Sequence, residues 1–202
     1  SIILARSRLV PNAASPTSVF SPLDLDSRPL AWRVGAVVLG TLFLALSSYV
    51  EVPMVPVPVT MQTFAVMLVG ALYGWRLGAI TIIAWLAEAA IGLPVLSGGA
   101  AGAHHFVGPT AGYLFAFPVA GAVVGWLAER GWNGRRPALA FLNMLLGNAL
   151  CLALGAAWLA VLFGADVAWT SGVAPFIVGG VLKSVLGAAL LALLARGKSR
   201  TA

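Results

Sequence analysis

The chain has 202 residues, of which 60% are hydrophobic and 9% charged, with 23 glycines and a formal net charge of +6. Soluble domains carry about 25% charged residues, so this composition excludes a soluble globular protein and specifies a polytopic membrane protein embedded in a lipid bilayer. The positive balance, which would suggest nucleic acid in a soluble chain, here reports orientation, because basic residues gather on cytoplasmic loops. Cys151 is the single cysteine and sits in an apolar run, which excludes a disulfide framework and a thiol-ligated metal cluster.

Residues 1–29 are polar and broken by Pro11, Pro16, Pro22 and Pro29. The apolar run Ile2 to Leu4 is too short for the hydrophobic region of a signal peptide, and the segment reads as a flexible cytoplasmic tail. A membrane domain over residues 30–195 follows, then a basic cytoplasmic tail over 196–202. Residues 30–50 make the first span, since about 20 apolar residues cross a bilayer. On it Ala36 and Gly40 lie four apart on one face, a spacing that lets another helix approach closely. They are expected to form a docking face for a partner, against the simpler alternative of packing within the protein. Residues 51–60 contain Pro53, Pro56 and Pro58, which a helix interior does not tolerate, and predict an extended outer segment. Two shorter apolar stretches, 61–73 and 77–91, join at Gly74-Trp75-Arg76 and read as a helical hairpin.

Residues 92–113 interrupt the apolar pattern with two prolines, six glycines and the histidines His104 and His105. Loop backbone exposed to lipid leaves amide groups without partners, so this stretch is an outer loop or lines a cavity. Further spans are predicted over 114–128, 138–163 and 175–194, with a loop at 164–174 carrying Asp166. Six spans place Arg6, Arg8, Arg28, Arg33, Arg76, Arg130, Arg135, Arg136, Arg196, Lys198 and Arg200 on one side, and leave the three loops opposite without Lys or Arg. The expected fold is therefore an all-α integral membrane protein of six transmembrane helices with both termini cytoplasmic.

Two charged residues fall inside spans, Glu88 and Lys183. A lysine at the centre of a membrane helix costs roughly 2.5–3.5 kcal/mol on insertion scales, so it faces a cavity and finds a partner. Gly179 and Gly187 clear its helix face on either side. Two readings stand: an ion pair with Glu88, or a ligand anion held by Lys183 in a pocket open to the outside. Thr60 and Gln62 offer neutral hydrogen bonds to the same region, and close backbone at Gly98 and Gly99 suits a planar polar ring. Asn143 and Asn148 are either pocket residues or interhelical contacts. The adjacent histidines lack i,i+4 spacing and make a poor metal site, so no metal and no cofactor is expected. Gly197-Lys198-Ser199 has the end of a P-loop but Ala192 where its first glycine belongs. No ATPase, acid/base pair or nucleophile set is legible, and an enzyme is not expected.

Three separated motifs carry a resemblance. Val57-Pro58-Val59-Thr60-Met61-Gln62-Thr63, then Gly92-Leu93-Pro94-Val95 with Gly98-Gly99, then Val107-Gly108-Pro109-Thr110-Ala111-Gly112-Tyr113-Leu114 resemble the BioY family, the biotin-binding membrane subunits of energy-coupling-factor (ECF) transporters. The resemblance covers about residues 39–194. It implies six helices, a biotin pocket near the outer face covered by the first and third outer loops, and residence in the bacterial inner membrane. It implies energisation by an ECF transmembrane coupling subunit and two ATPase subunits, with Ala36 and Gly40 in the region that meets that partner. Family members commonly carry an aspartate three positions before a lysine on the last helix. Here Lys183 is present and Gly180 stands where the acid would be, leaving Asp166, Glu88 or a water to substitute. Biotin uptake is thus the leading expectation. A membrane enzyme acting on a lipid or small acid is the alternative, and a small channel or structural oligomer a third class, disfavoured because the spans show no repeating polar residues.

Overall fold

A computed structural model describes Leu23 and residues 25–199; the expected tail at residues 1–22, Asp24 and the C-terminal residues 200–202 lie outside the described residues. Within them the chain is helical apart from one small ladder. Helix α1 (Leu30–Ser48) is followed by strands β1 (Glu51–Val52) and β2 (Val59–Thr60), which pair antiparallel with Glu51 opposite Thr60. Then come α2 (Gln62–Ala90), α3 (Ala111–Glu129), α4 (Pro137–Phe163), α5 (Ala165–Gly172) and α6 (Ala174–Ser199). Five stretches are long and apolar enough to cross a membrane: α1, α2, α3, α4 and the run Ala165–Gly197 formed by α5 and α6.

The second of these is not straight. Gly74 has φ 80° and ψ 171°, a backbone conformation outside the helical region that glycine reaches without a side-chain penalty. The two arms, 62–73 and 75–90, fold back on each other there. A β-carbon on Gly78 would lie 3.0 Å from the Gly70 Cα, whereas eight residues of continuous helix span about 12 Å. Gly70 also packs directly on the backbone of Gly121 in α3. Lipid supplies no hydrophobic drive between helices, so association rests on this close approach of small residues. Around the seam Trp85, Leu44, Met67 and Ile82 are fully buried. The outer surface carries exposed Val38, Leu42 and Leu46 on α1 and Val178, Leu182 and Val185 on α6.

Several expectations change. Residues 165–172 are helical rather than a loop, and the Tyr113 hydroxyl fixes them by donating to the Gly172 carbonyl at 2.7 Å. The expected N-terminal tail contains a 3-10 turn at Leu25–Ser27 with Leu25 buried, and α6 continues through Ser199 rather than ending at 195. The two residues expected to form a docking face separate: Gly40 lies in a seam inside the chain, whereas Ala36 is half-buried and lines a surface groove with Ala31 and Gly35. Gly40 is buried, and a β-carbon there would stand 2.5 Å from Thr81 Cγ2 and 3.0 Å from the Tyr73 ring; the Tyr73 hydroxyl donates to the Ala36 carbonyl at 2.8 Å. Both arms of α2 therefore pack against Gly40. Around Gly35 nothing lies within 4 Å. Gly40→Leu should accordingly lower the thermal stability of the detergent-purified protein, by roughly 1–3 kcal/mol as overpacking does. Gly35→Leu should leave it unchanged. Equal melting temperatures for the two variants would contradict the seam.

Candidate functional site

A cavity of about 440 Å³ opens at the end of the bundle that carries the β ladder and the 97–106 turns, within the roughly 300–1,000 Å³ typical of small-molecule pockets. Its walls come from four helices: Thr63 at the start of α2, Tyr113 and Phe117 on α3, Asn148 and Cys151 on α4, Phe176, Gly180 and Lys183 on α6. Its cover comes from the segments between α1 and α2 and between α2 and α3, through Glu51, Pro53, Pro56, Val57, Leu96 and Ser97 among others. No residue of 164–174 lines it, so the implied cover by the third outer loop is replaced by the second.

Lys183 does enter the cavity. Its ammonium donates to the Thr60 carbonyl and to Thr63 Oγ1, the latter at 3.2 Å. The alternative pairing with Glu88 is not formed, and Glu88 does not line the cavity. Thr60 and Gln62 also line it, but their polar atoms are largely committed. Thr60 Oγ1 donates to Gln62 Oε1 at 2.9 Å, and Gln62 Nε2 donates to Ser48 Oγ at 3.1 Å, which itself donates to the Leu44 carbonyl. These bonds tie the ladder and the start of α2 to α1, and Lys183 brings a cationic donor to the open space. A β-carbon on Gly180 would meet only Asn148 Cβ, at 3.9 Å, so the position is open.

Gly98 and Gly99 do not line the cavity, although their neighbours Ser97 and Ala100 do. Gly98 has φ 62°, and a β-carbon there would stand 2.7 Å from Glu51 Oε1; one on Gly99 would stand 3.2 Å from the Tyr49 ring. Glycine here lets the turn settle against the Glu51 carboxylate, which accepts a hydrogen bond from the Ser97 hydroxyl. Further bonds fix this cover: the Tyr49 hydroxyl donates to the Pro94 carbonyl at 2.6 Å, and Trp85 Nε1 to the Val95 carbonyl at 3.0 Å. The acid at the site is thus Glu51, not Asp166 or Glu88. Sequence reasoning missed it; its signal is an acid placed between the first span and a proline run. Asn143 and Asn148 separate: Asn143 donates to the Val124 and Trp132 carbonyls away from the cavity, while Asn148 lines it. Tyr113 and Phe176, also unforeseen as lining residues, stack with ring centroids 6.1 Å apart. Among the described residues no three His, Cys, Asp or Glu side chains converge to hold a metal ion.

The family model for the BioY family matches residues 21–200. The chain belongs to the BioY family. Relatives include a probable biotin transporter BioY of Pyrococcus horikoshii, 36% identical over 72% of this chain and 87% of that protein. The biotin transporter BioY of Rhizobium etli is 38% identical over 73% of this chain and 82% of its own length. Among solved structures, the S-component for biotin from an ECF-type ABC transporter superposes with a TM-score of 0.73 at 26% identity, covering 84% of this chain and 95% of that one.

In this BioY-family chain the two histidines sit at the cavity rim, ring centroids 4.1 Å apart, with His104 exposed and His105 lining the space. Partial burial first, and the neighbouring His104 charge second, hold the His105 pKa below its ordinary 6.5. The folded state therefore favours neutral His105. Its contribution to stability is present above pH 6.5 and is lost as pH falls through the lowered folded value. His104→Ala removes the second cause, and NMR titration should show the His105 pKa move up toward 6.5. An unmoved value would mean the two rings do not interact.

Proposed function

We propose that this chain is the biotin-binding membrane subunit of an ECF-type importer, capturing biotin at its outer cavity for delivery to the cytoplasm. The observation that carries this is a cavity with apolar and aromatic walls into which α6 projects one ammonium, in a chain belonging to the BioY family. Biotin's valerate carboxylate suits Lys183, and its thiophane ring suits Phe117, Leu152 and Phe176. An ammonium held by a carbonyl and a hydroxyl still lacks an opposite charge, which a ligand carboxylate supplies.

The same reading includes an orientation. In it α2 crosses twice, an idea supported by the fold-back at Gly74, and the crossings number six. Arg76, Arg130, Arg135, Arg136 and Arg196 then lie at the end remote from the cavity, so that end and both termini face the cytoplasm across the bacterial inner membrane. A coupling subunit and two ATPases supply the energy. With Gly40 buried, the small residues that α1 presents at the surface are exposed Ala31 and Gly35 and half-buried Ala36, which share a groove, and the coupling subunit seats there. The membrane-enzyme reading has no support in the relatives, whose names are those of transporters.

Equilibrium binding of labelled biotin to the purified chain tests this directly: saturable binding and a raised melting temperature are expected. Lys183→Met should weaken that binding about ten- to a hundredfold, since hydrogen bonds to charged groups contribute roughly 1.5–3 kcal/mol. A well-folded Lys183→Met protein with unchanged affinity would remove the ammonium from the site. Gly180→Val should also lose affinity while keeping its ligand-free stability, because the added carbons enter cavity space rather than packed protein.

A further inference from the structure

Asn148 stands out among the cavity residues. It is 5% exposed, deep in the wall formed by α4, yet lines the open space. Its Nδ2 donates to the Met144 carbonyl at 3.0 Å and to Ser184 Oγ at 3.1 Å, and Ser184 Oγ donates onward to the Gly180 carbonyl at 2.7 Å. A main-chain carbonyl only accepts, so the amide nitrogen must face Met144 and the flip of the carboxamide is fixed. Both amide hydrogens are then used. Oδ1 accepts no hydrogen bond among the described residues, and unlike Asn143 Oδ1 it is not sealed in protein without a partner. Opposite it, Gly180 leaves the adjacent space empty.

We infer that Asn148 Oδ1 is a specificity-determining acceptor that reads a ring N–H of the bound ligand in the space left by Gly180. This rests on the biotin reading and deepens it. A bound biotin carboxylate is ionised, so the ligand's hydrogen-bond donors are the two ureido N–H groups. An oxygen that only accepts can bond to no other part of the molecule. Lys183, which only donates, is restricted to the carboxylate or the ureido oxygen. The pair therefore sorts the ligand by polarity: an anion or carbonyl at the α6 ammonium, an N–H at the α4 carboxamide. A carboxylic acid lacking ring N–H donors would leave Oδ1 unpaired and bind more weakly.

The test is a cycle of protein and ligand changes on the purified full chain. Asn148→Leu keeps the side chain's approximate shape and leaves no buried donor stranded, because Ser184 Oγ still donates to Gly180 and the Met144 carbonyl stays in its helix. Dissociation constants are measured for biotin and for two analogues methylated at one or the other ureido nitrogen. Asn148→Leu should bind biotin about tenfold or more weakly, the size of one neutral hydrogen bond with its unmet partner. In the unmodified protein, methylation of the engaged nitrogen should cost a similar factor. In the variant that analogue and biotin should agree within about twofold. Unchanged biotin affinity in a folded variant overturns the inference, as does an equal loss for biotin and both analogues, which is the mark of a structural role. If Asn148→Leu does not fold, Asn148→Ala is put through the same cycle with the same criteria. Failure of the unmodified chain to bind biotin at all overturns the biotin reading itself, an outcome distinct from the others.

Discussion

The Lys183 ammonium must be solvated inside a largely apolar bundle, and the end of the protein that holds the cavity is arranged around that need. The carbonyl that serves it is available because of strand alternation. Met61 N–H donates to the Val50 carbonyl at 2.9 Å, a ladder bond that flanks the Glu51–Thr60 pair. That pair is then the non-hydrogen-bonded kind, whose carbonyls point away from the ladder. The Thr60 carbonyl is thereby left for α6. From the same ladder Glu51 reaches Ser97 in the cover, and Gln62 just beyond it reaches Ser48 in α1. Through Thr60 the cation is thus linked by hydrogen bonds to the start of α2 and to α1, while Glu51, on the paired strand, separately ties down the cover.

The cavity exists because the helices are tight at one end and open at the other. At the end remote from the cavity Gly134 packs against the Leu191 backbone, and midway Gly187 would place a β-carbon 3.2 Å from Met144 Sδ. At Gly180 and Gly179 further along α6 the neighbours recede, with 3.9 Å to Asn148 Cβ in one case and nothing within 4 Å in the other. The same residue type therefore serves two purposes on one helix. Where helices touch, glycine permits contact that lipid alone does not drive; where they splay, it leaves volume for a ligand. An acid at 180 would fill part of that volume; with glycine there, Asn148 on α4 and Glu51 in the cover are among the polar side chains lining the cavity.

Much of this was legible in sequence. Composition and the distribution of arginines determined that the chain is a helical membrane protein, because hydrocarbon tolerates few charges and loop backbone none at all. The prolines at 53, 56 and 58 marked a non-helical segment, the glycines about position 74 marked a turn, and Lys183 declared itself by being a cation inside a span. Three motifs carried the family. Each of these signals is local, or depends only on the solvent being lipid.

What faces what was decided by tertiary structure alone. Ala36 and Gly40 have the spacing of a contact face, but spacing does not say whether the contact is with a neighbour or with a partner; the fold-back of α2 decided that by bringing Tyr73 and Thr81 onto it. Gly98 and Gly99 looked like places for a ligand to approach backbone, and are places where the Glu51 carboxylate and Tyr49 do so. Glu88 lies inside a span as Lys183 does, yet only Lys183 points into the cavity. Asn143 and Asn148 are five apart on one helix and indistinguishable in type, yet one reaches the α3 backbone and the loop at Trp132 while the other lines the cavity. A sequence records which residues share a helix face; which neighbour covers that face follows from how helices pack, and packing is set by contacts between residues far apart in the chain.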